Sequence, residues 1–495
     1  NGDHRDLHLS IRRQRQMCIR DSPFSACVAR PVDKNERLRT PAALDAITKE
    51  WTSLRDMGVW DESNVREWRD VANDAKNSGT RTHVGRIFDI CVEKGSELAD
   101  VDGKRHPGRK FKGRAVFQGN NVFDENHEVA MFQELSSCPA TMEASKFADL
   151  IGLQPGYSCA QADAERAYIQ SRIGGDPTWV RLPTEQWPDA WRKSGLRDPV
   201  CPLILALYGH PDAGGYWEQH CEKHLTAIGW RTVPDWRSCF WHPQYQAFLM
   251  VYVDDFKLSA RSEDHAALWK AIRTTSVAGT VGLQMEDPTP PDKFLGCNHI
   301  ITQRVLHNGV KVQSIELDES PFMNSCLELY SDLTGVDLDS IPVVKTPFLD
   351  EDVLRKKFGV GPGGFPDIVQ PKRPPEQTVS SFTSAEAPSD GYPDPPGSDP
   401  SPVGEPQQLA SGYLQPIAAR LLMKILYGAR FARPDLLRCV CGLARRITKW
   451  TVMQDHQLHR LMAYIKSSLH LRQVAWVGDD LSNIQLRLYL SLIHI

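Results

Sequence analysis

Two adjacent carboxylates, Asp254 and Asp255, stand between the alternating apolar run Ala247-Phe248-Leu249-Met250-Val251 and the short run Phe256-Lys257-Leu258. That pattern predicts a β-hairpin with the acids at its tip. Adjacent anionic side chains repel, so a strand-flanked pair is locally costly unless a cation or solvent offsets the charge. The pair is therefore a candidate divalent-metal site, with a solvated Asp-Asp turn as the alternative. Two Mg²⁺ ions about 4 Å apart need ligands from more than one direction, which calls for a third acid on another strand. Asp163 is the best candidate: in Tyr157-Ser158-Cys159-Ala160-Gln161-Ala162-Asp163 a short strand gives way to a turn or helix start at that acid. Tyr168, five positions on, offers a flat wall beside it; its alternative is a core aromatic next to the sheet.

The elements that must position these groups follow from periodicity. Within residues 41 to 130 a helix carrying Trp51, Leu54 and Met57 leads into strand-like segments around Arg114 to Phe117. From about 131 to 300 strand and helix patterns alternate and carry the three acids. Residues 361 to 408 are rich in Pro, Ser, Gly and Asp with almost no apolar periodicity, so they read as a flexible insertion that cannot offset its ordering entropy. Order resumes at Tyr413. Leu436, Leu437, Val440, Leu443 and Ile447, with Pro434 in a first-turn position, and then Leu458, Leu461, Met462, Ile465 and Leu469, make two near-helical stripes that read as core contacts.

A chain of 495 residues is long enough for two to four domains, and 41% hydrophobic with 24% charged residues is ordinary for a globular protein. No apolar run approaches the roughly 18 residues of a membrane-spanning helix, so a soluble protein is expected. The net charge of −4 means that any nucleic-acid binding must use a local basic stripe. Arg105, Arg109, Lys110, Lys112 and Arg114 form one candidate stripe, and Arg438, Arg445, Arg446 and Lys449 another; a solvated face is the alternative for each. The 12 cysteines include no CxxC pair, which points to reduced, mostly buried thiols. Cys239 with His242 reads as structural.

These residues together resemble the reverse transcriptase of copia-type long-terminal-repeat retrotransposons. The family's first block is an Asp followed five residues later by Phe or Tyr, matched by Asp163 and Tyr168. Its second is Leu-Tyr-Gly and then an aromatic, matched by Leu207-Tyr208-Gly209 and Trp217; its third is Tyr-Val-Asp-Asp, matched at 252 to 255; Phe294-Leu295-Gly296 resembles the next. Lys112-Gly113-Arg114-Ala115-Val116 is similar to the basic strand of the fingers, Trp179-Val180-Arg181-Leu182-Pro183 to the segment after the first block, and Arg433-Pro434-Asp435 to a tripeptide near the polymerase C-terminus. The resemblance runs over roughly residues 41 to 489.

The resemblance implies an α+β fold of the right-hand polymerase kind, with fingers in 23–130, a palm with an antiparallel sheet and the catalytic acids in 131–345, a Pro/Ser/Gly-rich insertion in 346–412, a helical thumb or connection in 413–470 and a truncated start of a ribonuclease H domain in 471–489. It implies two Mg²⁺ ions, with Mn²⁺ as a substitute, on Asp163, the Ala164 carbonyl, Asp254 and Asp255, the three acids being catalytic. Lys112, Arg114 and Tyr168 would bind the nucleotide; Tyr208, Gly209 and Tyr252 would contact template and primer. The implied partners are an RNA or DNA template with its primer, dNTPs and other Pol and capsid components, with no membrane. The implied setting is the cytoplasm, in virus-like particles, with access to the nucleus.

Some features depart from the family. His210-Pro211-Asp212 stands where most members carry Leu-Lys-Gln, followed by Gly214-Gly215 in a segment expected to be helical, which bears on template handling more than on metal chemistry. Residues 1–22 and 490–495 read as non-native leader and tail. The ribonuclease H strand Gln485-Leu486-Arg487-Leu488-Tyr489 runs into Leu490 where that domain's first acid is expected, so no ribonuclease H activity is anticipated, and Asp479-Asp480 read as a turn. Two rivals remain: a decayed or domesticated retroelement fragment that folds and binds nucleic acid without catalysis, and a cellular polymerase or nuclease with a similar acidic palm.

Overall fold

Apolar positions that alternate in the sequence become strands, and those that recur every three or four residues become helices. The computed structural model describes residues 29–95, 106–132, 137–277, 279, 281–347 and 411–479. The leader, Arg105, the insertion at 361–408, Asp480, the strand at 485–489 and the tail lie outside the described residues. The fold is α+β, with several antiparallel sheets. The strands are β1 (Ala29–Pro31), β2 (Arg66–Glu67), β3 (His83–Lys94), β4 (Lys110–Phe117), β5 (Tyr157–Asp163), β6 (Thr178–Arg181), β7 (Pro199–Pro202), β8 (Arg231–Thr232), β9 (Cys239–His242), β10 (Ala247–Tyr252), β11 (Asp255–Arg261), β12 (Lys293–Phe294), β13 (Cys297–Val305), β14 (Lys311–Asp318) and β15 (Gln473–Trp476). The described residues divide into two compact units, one holding those of 29–316 with 474–479 and the other those of 317–473.

In the first unit one sheet runs β1-β3-β6-β7-β2, with β4 paired to β3. Strand β4 alternates, burying Gly113, Ala115 and Phe117 and exposing Lys110, Lys112 and Arg114. Its buried side packs on the helix Pro41–Asp56, whose Trp51 and Leu54 are core residues; Met57 caps that helix. Gly113 is required there, because a Cβ would come within 2.7 Å of the Ala46 carbonyl oxygen. Strands β6 and β7 belong to this sheet, so residues 178–202, expected with the palm region, pair with the basic hairpin's sheet instead.

A second sheet of the same unit runs β5-β11-β10-β9-β8, antiparallel throughout. One face presents Leu249, Val251, Phe256, Leu258 and Ala260 to the helices Ala213–Ala227 and His265–Thr274. The other presents Phe248 and Met250 to the helix Met142–Gly152 and to Phe294. Each fully buried Leu, Val or Phe contributes roughly 1.5–3 kcal/mol relative to exposure, which anchors both flanks of the hairpin carrying the acids.

The second unit packs the helices Ser320–Thr334, Gln415–Phe431, Leu437–Ala444 and Val452–Ser467 around Tyr330, Leu421, Leu422, Ile425, Leu458, Leu461 and Met462. Residues 317–345, expected with the palm, pack here instead, because Phe322, Met323, Cys326, Leu327 and Tyr330 form a buried helical stripe. The stripe from Leu436 to Ile447 is broken: a 3₁₀ turn, Pro434–Leu436, precedes the helix. Arg433 is buried and grips Asp435 with Nε–Oδ1 and Nη2–Oδ2 distances of 3.0 and 2.8 Å, so the Arg-Pro-Asp tripeptide shapes a helix entrance. Among the described residues no helix is long and apolar enough to cross a membrane.

Candidate active site

Strands β10 and β11 form the anticipated hairpin, with Tyr252 opposite Asp255 and only Val253-Asp254 in the turn. Asp255 is thus already a strand residue, and Asp254 alone occupies the tip with Val253. Two-residue loops favour positive φ at their first centre, ordinarily supplied by Gly, Asn or Asp. Here Val253 holds φ +61°, a cost of about 1–2 kcal/mol for a side chain whose Cβ crowds the carbonyl. Surrounding bonds hold the turn: Trp217 Nε1 donates to the Val253 carbonyl at 2.6 Å, and the Ala164 amide donates to the Asp254 carbonyl at 2.7 Å.

Strand β5 ends at Asp163, which the register places directly opposite Asp255. Directly paired residues share a face, so the two carboxyls meet. The Asp255 pKa is raised well above the ordinary carboxylate range, first by burial, then by the charges of Asp254 and Asp163 and a hydrogen bond shared with Asp163. Asp254 is exposed in overall area, yet its carboxyl is also raised, mainly by desolvation and next by Asp163, with Arg114 and Lys112 opposing. On its other edge β5 is backed by the segment 284–289: the Glu286 amide donates to the Asp163 carbonyl at 2.9 Å, and Gln161 and Thr289 exchange two bonds of 2.8 Å. Ala164 is buried, bridged to Met285.

Lys112 and Arg114 of the exposed β4 face act on Asp254, and the Lys112 ammonium is itself lowered, by desolvation and then by Arg114 and Lys94. The Arg114 guanidinium lies 5.7 Å from the centre of the Tyr208 ring, which stacks at a tilt on Tyr168 with centroids 4.8 Å apart. Burial, then Asp254, pushes the Tyr208 phenol up to about 12 and raises Tyr168 likewise. Gly209 has φ +92°, and a Cβ there would strike the Phe117 carbonyl at 2.1 Å. The Phe117 amide bonds the Tyr208 carbonyl at 2.7 Å, so the second block is fastened to the end of the basic strand. Asp163, Ala164, Tyr168, Asp254 and Asp255, with Lys112, Arg114, Tyr208 and Gly209, are therefore one neighbourhood. Tyr252 joins it as the partner of Asp255, half-buried beside the Phe248 cluster.

His210 and Gly214 have structural roles. His210 is buried between Phe117, Phe132 and Tyr216, with burial lowering its pKa to about 3, so it fills the wall behind Tyr208 as a neutral ring. Gly214 begins the Ala213–Ala227 helix where a Cβ would lie 2.6 Å from Ser137 Cβ and 3.7 Å from the Tyr168 hydroxyl.

Oxygen donors from carboxylates and a backbone carbonyl suit Mg²⁺ or Mn²⁺ rather than a thiophilic metal. Among the described residues no group of three or more His, Cys, Asp and Glu side chains is gathered tightly enough to hold a metal ion. The Asp255 carboxyl, raised and facing Asp163, nevertheless fits a cation that takes one or two protein ligands and completes its shell with phosphate oxygens and water, which is how Mg²⁺ usually binds.

Other candidate residues lie elsewhere. Arg438, Arg445, Arg446 and Lys449 are exposed in the helical unit. Asp479 lies in a bend, and Cys239 and His242 are buried, the thiol pushed up to about 12 by burial. Three features escaped the sequence reading: the bond from Trp217 to the turn, the segment backing β5, and the partners of the basic stripe. On the exposed face of β3, Arg86, Phe88, Ile90 and Lys94 alternate outward, Ile90 opposite Arg114 and Lys94 opposite Lys110, so basic and apolar groups interleave. The period-2 pattern Arg-x-Phe-x-Ile could have revealed that face; no sequence signal marks the other two. No protein-family model matches the chain, and no curated protein matches it.

Proposed function

We propose that this chain is the RNA-directed DNA polymerase region of a copia-type retrotransposon, extending a primer by nucleotidyl transfer from dNTPs. The observation that carries the reading is the cross-strand pairing of Asp163 with Asp255, with Asp254 in the adjoining turn and Lys112 and Arg114 acting on that acid. On this reading the β5-β11-β10 sheet is the palm, the β3–β4 hairpin the fingers and the helical unit the thumb or connection. Two Mg²⁺ ions on Asp163, the Ala164 carbonyl, Asp254 and Asp255 would lower the pKa of the primer 3′-hydroxyl and stabilise the leaving pyrophosphate.

The residues supply what the reaction needs around those ions. The 3′-oxygen loses its proton and bonds the α-phosphorus as the bond from that phosphorus to pyrophosphate breaks. Lys112 and Arg114 neutralise the triphosphate as charge shifts to the leaving group. The Tyr168 ring lies under the incoming sugar and excludes a 2′-hydroxyl by contact. Tyr208, Gly209 and Tyr252 bound the template and primer, and the interleaved face with Phe88, Ile90, Arg86 and Lys94 suits unpaired bases and their phosphates.

The test is Mg²⁺-dependent extension of a DNA primer on an RNA template by the full chain, beside Asp254→Asn. Extension should fall about 10²–10³-fold in the variant, the scale for losing one preorganised electrostatic group. A folded, template-binding parent that never extends the primer supports the decayed fragment instead. Extension on DNA templates alone supports a cellular polymerase.

A further inference from the structure

We infer that Trp217 is a positioning residue for the acid site: its indole N–H clamps the Val253 carbonyl and holds the strained turn that aims Asp254 at Asp163. Only the activity readout below rests on the polymerase reading. At φ +61° a β-branched valine gains by swinging back to negative φ, and that swing rotates the peptide joining it to Asp254. Consecutive carbonyls of the turn are gripped from different elements. The Asp254 carbonyl is held at 2.7 Å by the amide of Ala164, which ties the tip to the strand of Asp163. The Val253 carbonyl is held at 2.6 Å by Trp217, which ties it to the Ala213–Ala227 helix.

The indole is fixed before it bonds. Trp217 is 1% exposed, with Phe256 edge-on at 6.5 Å between ring centres and His220 stacked at 6.1 Å. Its Nε1 is a donor only, so it cannot reverse the bond, and it reaches a backbone atom of the one residue in the hairpin with positive φ. Loss of either clamp leaves Val253 free to relax. Loss of the Ala164 clamp would also open the strand, whereas loss of the indole N–H leaves every ladder bond in place, so its effect reports on the turn alone.

Trp217→Phe removes the donor and keeps an aromatic ring. The full-chain variant should unfold at nearly the parent temperature, exchange backbone hydrogens faster in a peptide spanning 250–256, and lose about tenfold in kcat with the KM for dNTP within about twofold. Tenfold corresponds to about 1.4 kcal/mol. Adding Val253→Gly, which adopts positive φ without strain, should recover a severalfold part of that kcat. A tryptophan that only fills the core would lower the unfolding temperature and gain nothing from glycine at 253. Should Trp217→Phe not fold, benzothienylalanine at 217 keeps the shape of tryptophan and replaces N–H by sulfur; the same changes are expected. Unchanged exchange in the 250–256 peptide, or no rescue by Val253→Gly, overturns the clamp. A folded parent without polymerase activity overturns the functional reading instead, and the exchange measurement still decides the clamp.

Discussion

Asp149 and Asp255 both bear on strand β11, and their surroundings treat them oppositely. Asp149, from the helix Met142–Gly152, lies 2.5 Å from the Lys257 ammonium and 3.3 Å from His299 Nε2, while Lys257 also donates to Ser145 Oγ at 3.0 Å and stands 4.7 Å over the Phe294 ring. Burial alone would raise the Asp149 carboxyl, but Lys257 and then His299 outweigh it and hold it low. Two residues earlier on the same strand, Asp255 faces Asp163 and Asp254, and burial and like charge act in the same direction. The first cluster carries its own counter-ion and is structural. In the second, Lys112 and Arg114 oppose the rise at Asp254 without cancelling it, and burial and like charge leave Asp255 raised; an acid so perturbed is a candidate functional group.

The sharpest way to break that comparison is to neutralise one acid in each cluster. Asp149→Asn leaves the Lys257 ammonium buried without its partner, which should destabilise the acid-bearing unit by about 3–5 kcal/mol. Asp255→Asn relieves repulsion, so stability should hold or rise, while on the polymerase reading primer extension should be lost. Denaturant unfolding of both variants decides it. Equal costs would mean that the two clusters do the same structural work.

The clusters should also respond oppositely to pH. Asp149 is lowered in the folded state, so its contribution is present above the ordinary carboxylate pKa and is lost as pH falls through its depressed value. Asp255 is raised, so the native state binds the extra proton. Stability then falls as pH rises from the ordinary carboxylate range through the raised value, by at most about 1.4 kcal/mol per pH unit for one group. Unfolding midpoints of Asp255→Asn should lack that decline with rising pH, and Mg²⁺ should remove it from the parent. A decline that survives in Asp255→Asn assigns it to another group.

What the sequence made legible follows the range of the interactions. The hairpin, the strand carrying the basic stripe and the second C-terminal stripe are local patterns of period two or near four that became strands and a helix, whereas the first C-terminal stripe is broken by 3₁₀ turns and Asp255 lies in the strand beside the tip. The pairing of Asp163 with Asp255 depends on a register between residues 92 positions apart in sequence, which periodicity cannot supply. Lys257 gave no sign of its role, since a single lysine in an apolar strand is interpretable only beside Asp149 and His299. The boundary at residue 317 was missed for a related reason: the Phe322–Tyr330 stripe suits any apolar partner, and only packing shows that its partners come after residue 411. His210 was read as part of a template-facing motif, but its ring is turned into the wall with Phe117 and Phe132.

The smallest expected effect concerns the aromatic beside each cluster. Phe294 covers the Lys257 ammonium and closes the compensated site, whereas Tyr168 leans on Tyr208 and raises no counter-charge toward Asp254. If the Asp255 cluster is built to receive a nucleotide, Tyr168 is a wall of the substrate space rather than a plug in the core. Tyr168→Ala should then relax selection of dNTP over rNTP by about tenfold, the scale of discrimination that one apolar contact provides. The measurement is kcat/KM for dNTP and rNTP on the same primed template. An unchanged ratio with a lowered unfolding temperature would return Tyr168 to the core and leave sugar selection to another group.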